Sequence, residues 1–585
     1  MPGCSKSKRN GIGTIFRFLR DFMSAAPFTA ILTLVLNLAI ALVPAAVSLF
    51  TGLITQRINA GTGVGFATGV AGLMIMLALN QGLFYLTDPL HALLIERAQN
   101  RMNALFLKKI KAIELIEFEK TDKLDRIFRL RKWLNEYKLV DFFFSLRFQI
   151  INFISLVSLI ITLVAFAPWL AVIGILSALP SLLVRLVEGK KYFKMQLETE
   201  NLERNRAYFW SLFRTGSTAK EILTYGAGGY FLSNCKKTDL EMTTKMYKFA
   251  HFHSLLLLAA TVFAAAGYAA GLGFAAYMTA AGTLAVSGFS ASVSAFLSIQ
   301  NSVFNMSAEA GYLRETSSCI FEYYWFLDIK DENEKSLNQL RFEKLEVKNV
   351  CFAYPEGKEV LKNVSFSLYK GKHIAIVGEN GSGKTTLVKL ISGVYMPSKG
   401  EILINGIKVD PQIAVDFRGL FTLMNQNYIK YKGDVKENIF LSAPHLREDK
   451  EKMQDLLSSS ALSEDGLTLD LTLGREYDGA ELSEGQWQQL AFLRALFKRY
   501  EIILLDEPTS AIDSENEHKL LAGFVKAMQD KSAVIVTHRL SLCRFADEIL
   551  FLDGGRIVER GSHDELMEKG GKYCRMYEMQ SKWYK

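Results

Sequence analysis

The sequence predicts two joined folds: a membrane all-α domain of six transmembrane helices, followed by an α/β domain built on a mainly parallel sheet. Three observations carry this expectation. Six apolar runs crowd the first half of the chain, basic residues gather in the two long polar stretches between those runs, and β-branched runs alternate with helical segments from residue 341 onward.

Half of the 585 residues are hydrophobic and only 11 are proline, which excludes a disordered chain and an ordinary soluble enzyme. A formal charge of +8 raises nucleic acid as a partner. The Lys and Arg residues flank the apolar runs, however, and membrane topology accounts for that placement, so no nucleic-acid partner is expected. Cys4, Cys235, Cys319, Cys351, Cys543 and Cys574 lack C-x-x-C spacing, which speaks against a zinc site or a disulfide framework and for reduced, packed thiols. The N-terminal stretch MPGCSKSKRNGIGTIFRFLRDF is basic and amphipathic, without a small-residue cleavage site. It reads as an interfacial helix, not a cleaved signal peptide.

A helix needs about 20 apolar residues to cross a bilayer. Runs of that order lie at 27–55, 65–88, 142–166, 168–187, 253–280 and 284–306, the third and fourth split by Ala167 and Pro168-Trp169. The last two are rich in Ala and Gly, which lets helix backbones approach closely. The insertions 89–141 and 188–252 carry Lys108, Lys109, Lys111, Arg129, Arg131, Lys132, Lys190 and Lys191. The positive-inside rule places both insertions and both chain ends in the cytoplasm. Their periodicity predicts that the transmembrane helices continue into them.

Residues 1–330 are expected to form the transmembrane domain, 331–340 a charged linker and 341–585 the second domain. In that domain the strand Ile374 to Val377 runs into Gly378-Glu379-Asn380-Gly381-Ser382-Gly383-Lys384-Thr385, a complete G-x-x-x-x-G-K-[ST] loop, with a helix expected from near Thr386. The glycines let the backbone wrap a phosphate chain, and the loop N–H groups and the positive helix end attract it. Lys384 is suited to bridge the β- and γ-phosphates of ATP, and the Thr385 hydroxyl to bind Mg²⁺. The second half is therefore a P-loop nucleotide-binding domain. A second apolar run, Glu501 to Leu505, ends in Asp506-Glu507-Pro508. Asp506 suits Mg²⁺, and Glu507 suits activation of the water that attacks the γ-phosphorus.

What surrounds these motifs resembles the ATP-binding cassette superfamily, and specifically exporters that fuse a transmembrane domain to the cassette. The resemblance covers essentially the whole chain and is most specific over 341–585. It implies that Tyr354 in Phe-Ala-Tyr-Pro stacks on adenine, that Gln426 touches Mg²⁺ and the attacking water, and that His538 is the switch histidine. It also implies that ATP meets Gly378, Asn380, Gly381, Ser382, Gly383, Lys384, Thr385 and Thr386 of one cassette. Ser483, Gly485 and Gln486 in Leu482-Ser-Glu-Gly-Gln, the signature motif, would meet the ATP held by a second cassette, with Asp513 in the loop joining the two sites. ATP then glues two half-transporters together, a homodimer more readily than a heterodimer. The family usually has Gly where this chain has Glu484, and a carboxylate there would repel the γ-phosphate unless it points away.

Segments 118–125 and 215–221 resemble the coupling helices that seat in cassette grooves. The polar residues within the runs include Asn37, Asn80, Gln81, Gln149, Asn152 and Ser155, with no obvious charge at midplane, which favours a greasy or amphipathic cargo over an ion. Helix packing explains isolated Asn and Gln equally well. Trp487 after the signature glutamine is similar to exporters of modified bacterial peptides. No protease domain is expected before the first run, so any leader would be removed by another protein. These features imply an ATPase that exports a peptide or amphipathic small molecule across a bacterial inner membrane. A lipid flippase and an ATP-gated regulatory membrane protein are the alternatives.

Overall fold

In the computed structural model the described residues are 11–59, 63–329, 341–355, 357–411, 414–508, 523–539 and 542–581. The linker expected at 331–340 and the joining loop with Asp513 lie outside them. Two compact units divide the chain: Met1–Lys111 with Arg126–Ile329, and Ala112–Asp125 with Lys330–Lys585.

The first unit is helical. It comprises α1 (Gly11–Met23), α2 (Pro27–Asn59), α3 (Gly63–Ala112), α4 (Thr121–Asn135), α5 (Lys138–Phe166), α6 (Pro168–Arg214), α7 (Gly216–Thr224), α8 (Gly228–Ala280) and α9 (Val286–Leu327). The apolar runs do continue as unbroken helix into the basic insertions. The 50 residues of α3 correspond to about 75 Å at 1.5 Å per residue. Ala167 adopts the extended conformation (φ −156°, ψ 99°) that a following proline imposes, and Pro168 opens α6.

Four described helices, α2, α3, α5 and α8, are long and apolar enough to cross a membrane, while α6 offers the shorter apolar stretch Pro168–Val184. The expected sixth span falls on α9. That helix is rich in serine and packs against α2, α5 and α6, so neighbouring helices rather than lipid cover much of it. Close approach is visible where predicted: a Cβ on Gly267 of α8 would lie 2.3 Å from the Ser177 Cβ of α6. Gln149 of α5 donates to the Met306 carbonyl of α9 at 2.6 Å, a bond between helices, whereas Asn152 donates to the Phe148 carbonyl one turn back on its own helix at 2.8 Å. Arg147, a charged residue near the start of the third run, places its guanidinium 2.8 Å from the His91 Nδ1 on α3.

The second unit holds β1 (Lys344–Ala353), β2 (Glu359–Tyr369), β3 (His373–Gly378), β4 (Lys399–Ile404), β5 (Ile407–Lys408), β6 (Phe421–Met424), β7 (Gly433–Asp434), β8 (Thr472–Leu473), β9 (Ile502–Asp506), β10 (Ser532–Val536), β11 (Glu548–Asp553) and β12 (Arg556–Gly561). An antiparallel sheet runs β2-β1-β4-β5 and a six-stranded sheet runs β12-β11-β3-β10-β9-β6. In the second sheet β11, β3, β10, β9 and β6 are parallel. Every residue of β9 and β10 is buried, which is why these strands read as continuous apolar runs and not as alternation. Ile376, Leu504, Val534, Leu387 and Leu390 belong to the principal core.

The segment Ala112–Asp125, between α3 and the body of α4, groups with this cassette unit. Ile116 packs on the principal core. Glu119 accepts a hydrogen bond from the Tyr395 hydroxyl, and the Lys389 ammonium stands 4.0 Å away. Truncating a fully buried leucine on a central strand removes transfer energy and leaves a cavity. Leu504→Ala should therefore cost the cassette about 3 kcal/mol, seen as an earlier thermal unfolding transition of the detergent-purified protein.

Candidate nucleotide site

The strand register assembles the site. Val536 pairs with both Ile376 and Asp506, and Met424 pairs with Leu505. The residues just beyond, Gly378, Glu507, His538 and Gln426, thus emerge side by side at the carboxyl ends of parallel strands, where open α/β sheets hold their ligands.

The helix after the phosphate loop spans Lys384–Ile391, beginning two residues earlier than expected. Gly378, Gly381 and Gly383 take φ of +153°, +78° and +105°. A Cβ on Gly378 would lie 2.1 Å from the Leu552 carbonyl oxygen, so only glycine lets the loop leave β3 there. Lys384 is buried and its ammonium donates to the carbonyls of Gly378 (3.0 Å) and Glu379 (2.9 Å). Burial pulls its pKa down. Asn380, Gly381 and Thr385 are exposed, whereas Ser382 is buried with its hydroxyl unpartnered.

Asp506 is 2% exposed with Oδ1 unpartnered. Burial pushes its carboxyl up to about 6, opposed by a hydrogen bond with Thr385 and reinforced by the charge of Glu507. A buried carboxylate in want of a partner, beside a hydroxyl and a cradle of open N–H groups, fits a divalent cation carried in with a polyphosphate.

Glu507 has φ +51°, uncommon for a residue other than glycine, and its N–H donates to the Val536 carbonyl at 2.9 Å. Its carboxylate is held from both sides: Gln426 Nε2 donates to Oε2 at 2.6 Å, and His538 Nε2 lies 3.0 Å from Oε1. Burial, then the Lys384 charge, lowers the His538 pKa and favours the neutral imidazole. The structure thus brings Gln426, Glu507 and His538 together beside the phosphate loop. The Tyr354 ring packs edge-on to Phe352 and Tyr395, and its hydroxyl lies 3.1 Å from the buried Thr386 hydroxyl.

Ser483, Gly485 and Gln486 sit apart from this group. Ser483 caps the helix Glu484–Phe497: its hydroxyl accepts from the Gln486 N–H at 3.2 Å, and its own N–H donates to Gln486 Oε1 at 2.9 Å. Gln486 Nε2 also donates to Asp465 at 2.8 Å. Among the described residues no hydrogen bond joins these three to the phosphate loop.

The fold sets the direction of Glu484. Its carboxylate forms an ion pair with Lys430 and accepts from the Tyr428 hydroxyl at 3.2 Å, a hydroxyl that also lies 3.1 Å from the Glu484 carbonyl. The bond from Lys430 holds this carboxyl below its ordinary range. Nothing in the local sequence pairs residues 428 and 430 with 484; the fold alone does.

Comparison with known proteins agrees with this geometry. Residues 361–510 match the ABC transporter family. Subtilin transport ATP-binding protein SpaT of Bacillus subtilis is 29% identical over 74% of this chain and 72% of its own length. An ATP-dependent lipid A-core flippase of Haemophilus ducreyi is 34% identical over 47% of this chain and 48% of its own, so the chain matches about half of that relative. The solved structure of a bacterial Atm1-family ABC exporter with ATP bound superposes with a TM-score of 0.81, covering 96% of this chain and 98% of that one at 20% identity.

Fold and site together define the class, a helical membrane domain fused to an ATP-binding cassette. Residues 361–510 carry the ABC transporter domain, and the chain is an ATP-hydrolysing, multi-pass membrane protein.

Without Lys430 the Glu484 charge stands uncompensated at the signature helix start. Lys430→Met should raise the apparent KM for ATP several-fold in a steady-state ATPase assay, and Lys430→Met/Glu484→Gly should recover most of the loss. Additive losses in the double variant would show that Lys430 does not act by offsetting Glu484.

Proposed function

We propose that this chain is half of a dimeric pump that hydrolyses MgATP between two cassettes and exports a peptide or an amphipathic small molecule. The observation that carries the reading is the clamping of Glu507 between Gln426 and His538 beside a phosphate loop whose lysine is buried.

ATP lies along the loop, its phosphates met by N–H groups of residues 378–386 and by Lys384, which turns from the loop carbonyls to the phosphate oxygens. Tyr354 stacks against adenine. Thr385, Asp506 and Gln426 would hold Mg²⁺, which when bound would shield the phosphate charge. Glu507 draws the proton from the attacking water, and His538 keeps that carboxylate and the γ-phosphate in register. Ser483, Gly485 and Gln486 of the second half close the site by the positive end of their helix, with Asp513 joining the two sites. A homodimer is the simpler partner arrangement.

Closing two cassettes moves the segments around 118–125 and 215–221, and with them the helices they end, so that the bundle changes the side to which it opens. Tighter binding of ATP to the closed state is what drives this. The grouping of Ala112–Asp125 with the cassette through Ile116, Glu119 and Tyr395 supports that role for the first segment. The basic insertions favour a bacterial inner membrane protein with its cassettes in the cytoplasm. For the cargo, one relative is named for transport of subtilin and others for flipping of lipid A-core. The match to the first covers the greater share of both chains and favours the peptide-like cargo. A lipid flippase is the second reading, and lipid-stimulated turnover with movement of labelled lipid in liposomes would favour it.

Glu507→Gln should lower the ATPase kcat by at least about 100-fold while leaving nucleotide binding intact, and both it and Lys384→Ala should abolish ATP-dependent uptake of candidate peptides into sealed inverted vesicles. Wild-type turnover in Glu507→Gln would overturn the assignment of Glu507. Equal uptake by wild type and Lys384→Ala would refute pumping of the cargo tested. Tyr395→Phe removes the hydroxyl that holds Glu119 and should reduce cargo moved per ATP hydrolysed, with the ATPase rate kept within about twofold.

A further inference from the structure

The helix Lys572–Ser581 reaches the nucleotide site from a part of the chain that no motif marks. It starts on the carboxylate of Glu559, which accepts from the N–H groups of Lys572 and of Tyr573, the latter at 3.0 Å. An anion at a helix start is favourable both as a cap and against the helix dipole. Tyr573 is fully buried among Ala375, Val377, Cys543 and Leu566, and its hydroxyl lies 2.8 Å from His563 Nδ1. Ala375 and Val377 belong to β3, the strand that delivers the phosphate loop. The helix is therefore anchored to one wall of the site.

Tyr573, Tyr577 and Gln580 recur at the spacing that puts residues on one helix face. Two turns beyond the anchor, Gln580 Nε2 donates to the backbone carbonyl of His538 at 2.6 Å. That carbonyl lies past the end of the β10 ladder: among the described residues the last contact of the strand with β3 is Thr537 N–H to the Ile376 carbonyl, already 3.4 Å. The Thr537 hydroxyl closes a local turn, accepting from the Arg539 N–H at 2.9 Å and donating to the Arg539 carbonyl at 3.2 Å. His538 must nonetheless hold its imidazole 3.0 Å from Glu507.

We infer that Gln580 is a positioning residue for His538: it fixes the backbone that carries the switch histidine to a helix seated on the strand of the phosphate loop, so that imidazole and phosphate cradle keep one spacing. This rests on the reading of His538 as part of the hydrolytic group. It assigns the C-terminal helix a part in turnover, with no contact of its own to nucleotide.

The test is a double-mutant cycle on the full-length protein in lipid nanodiscs, with kcat and KM for MgATP measured for wild type, Gln580→Met, His538→Ala and the double variant. Met keeps the length and flexibility of Gln and removes the donor. Gln580→Met should lower kcat about fivefold, the worth of one neutral hydrogen bond, with KM and the thermal unfolding midpoint unchanged, and should add nothing to His538→Ala. A kcat within twofold of wild type, the same fold-loss persisting in the His538→Ala background, or a loss that tracks a lowered unfolding midpoint would each overturn the inference. Should His538→Ala itself turn over at the wild-type rate, the catalytic reading of His538 falls, and this inference with it.

Discussion

Hydrogen-bonded pairing of parallel strands is the constraint on which the cassette depends. Once β3, β10, β9 and β6 are aligned so that Val536 faces both Ile376 and Asp506, four separate stretches of sequence must end at one edge of the sheet. Each stretch contributes little by itself: a loop of glycines, a pair of carboxylates, a glutamine, a histidine. Their chemistry arises because burial on both faces of the sheet fits each side chain to one face, and a slip by one residue would exchange the two faces and break that packing.

Electrostatics at that edge follow from the same burial. Asp506 lies in an environment too dry for its charge, and Lys384 in one too dry for its own, so each is poorly served until a polyphosphate and a cation enter. The left-handed backbone at Glu507 is one more cost kept at the site, held by the Val536 carbonyl and by partners on both carboxylate oxygens.

The helical unit obeys a different rule. Backbone groups are satisfied within each helix, so side chains are free to meet lipid, other helices or cargo. Small residues appear where helices touch, as at Gly267 and Ser177, and large apolar ones such as Met74, Ile75 and Leu77 point outward along α3. Gln149 hydrogen-bonds to a carbonyl of a neighbouring helix and Asn152 to one on its own helix, so each side chain has a partner within the bundle. Serine-rich α9 shows that a helix packed against α2, α5 and α6 need not be as apolar as one that meets lipid.

Local sequence determined the helices, the parallel-sheet strands, the phosphate loop and the carboxylate pair, because each is written in neighbouring residues: apolar runs of membrane length, β-branched runs between turns, glycines where φ is positive. It was also enough to place Gln426 and His538 in the site through the resemblance of their surroundings. Partners distant in the chain were decided by tertiary structure alone. Lys430 meets Glu484, Tyr395 meets Glu119 and Gln580 meets the His538 carbonyl across separations that leave no periodicity or spacing to read. Such contacts depend on where packed elements end up relative to one another, and only the folded core sets that.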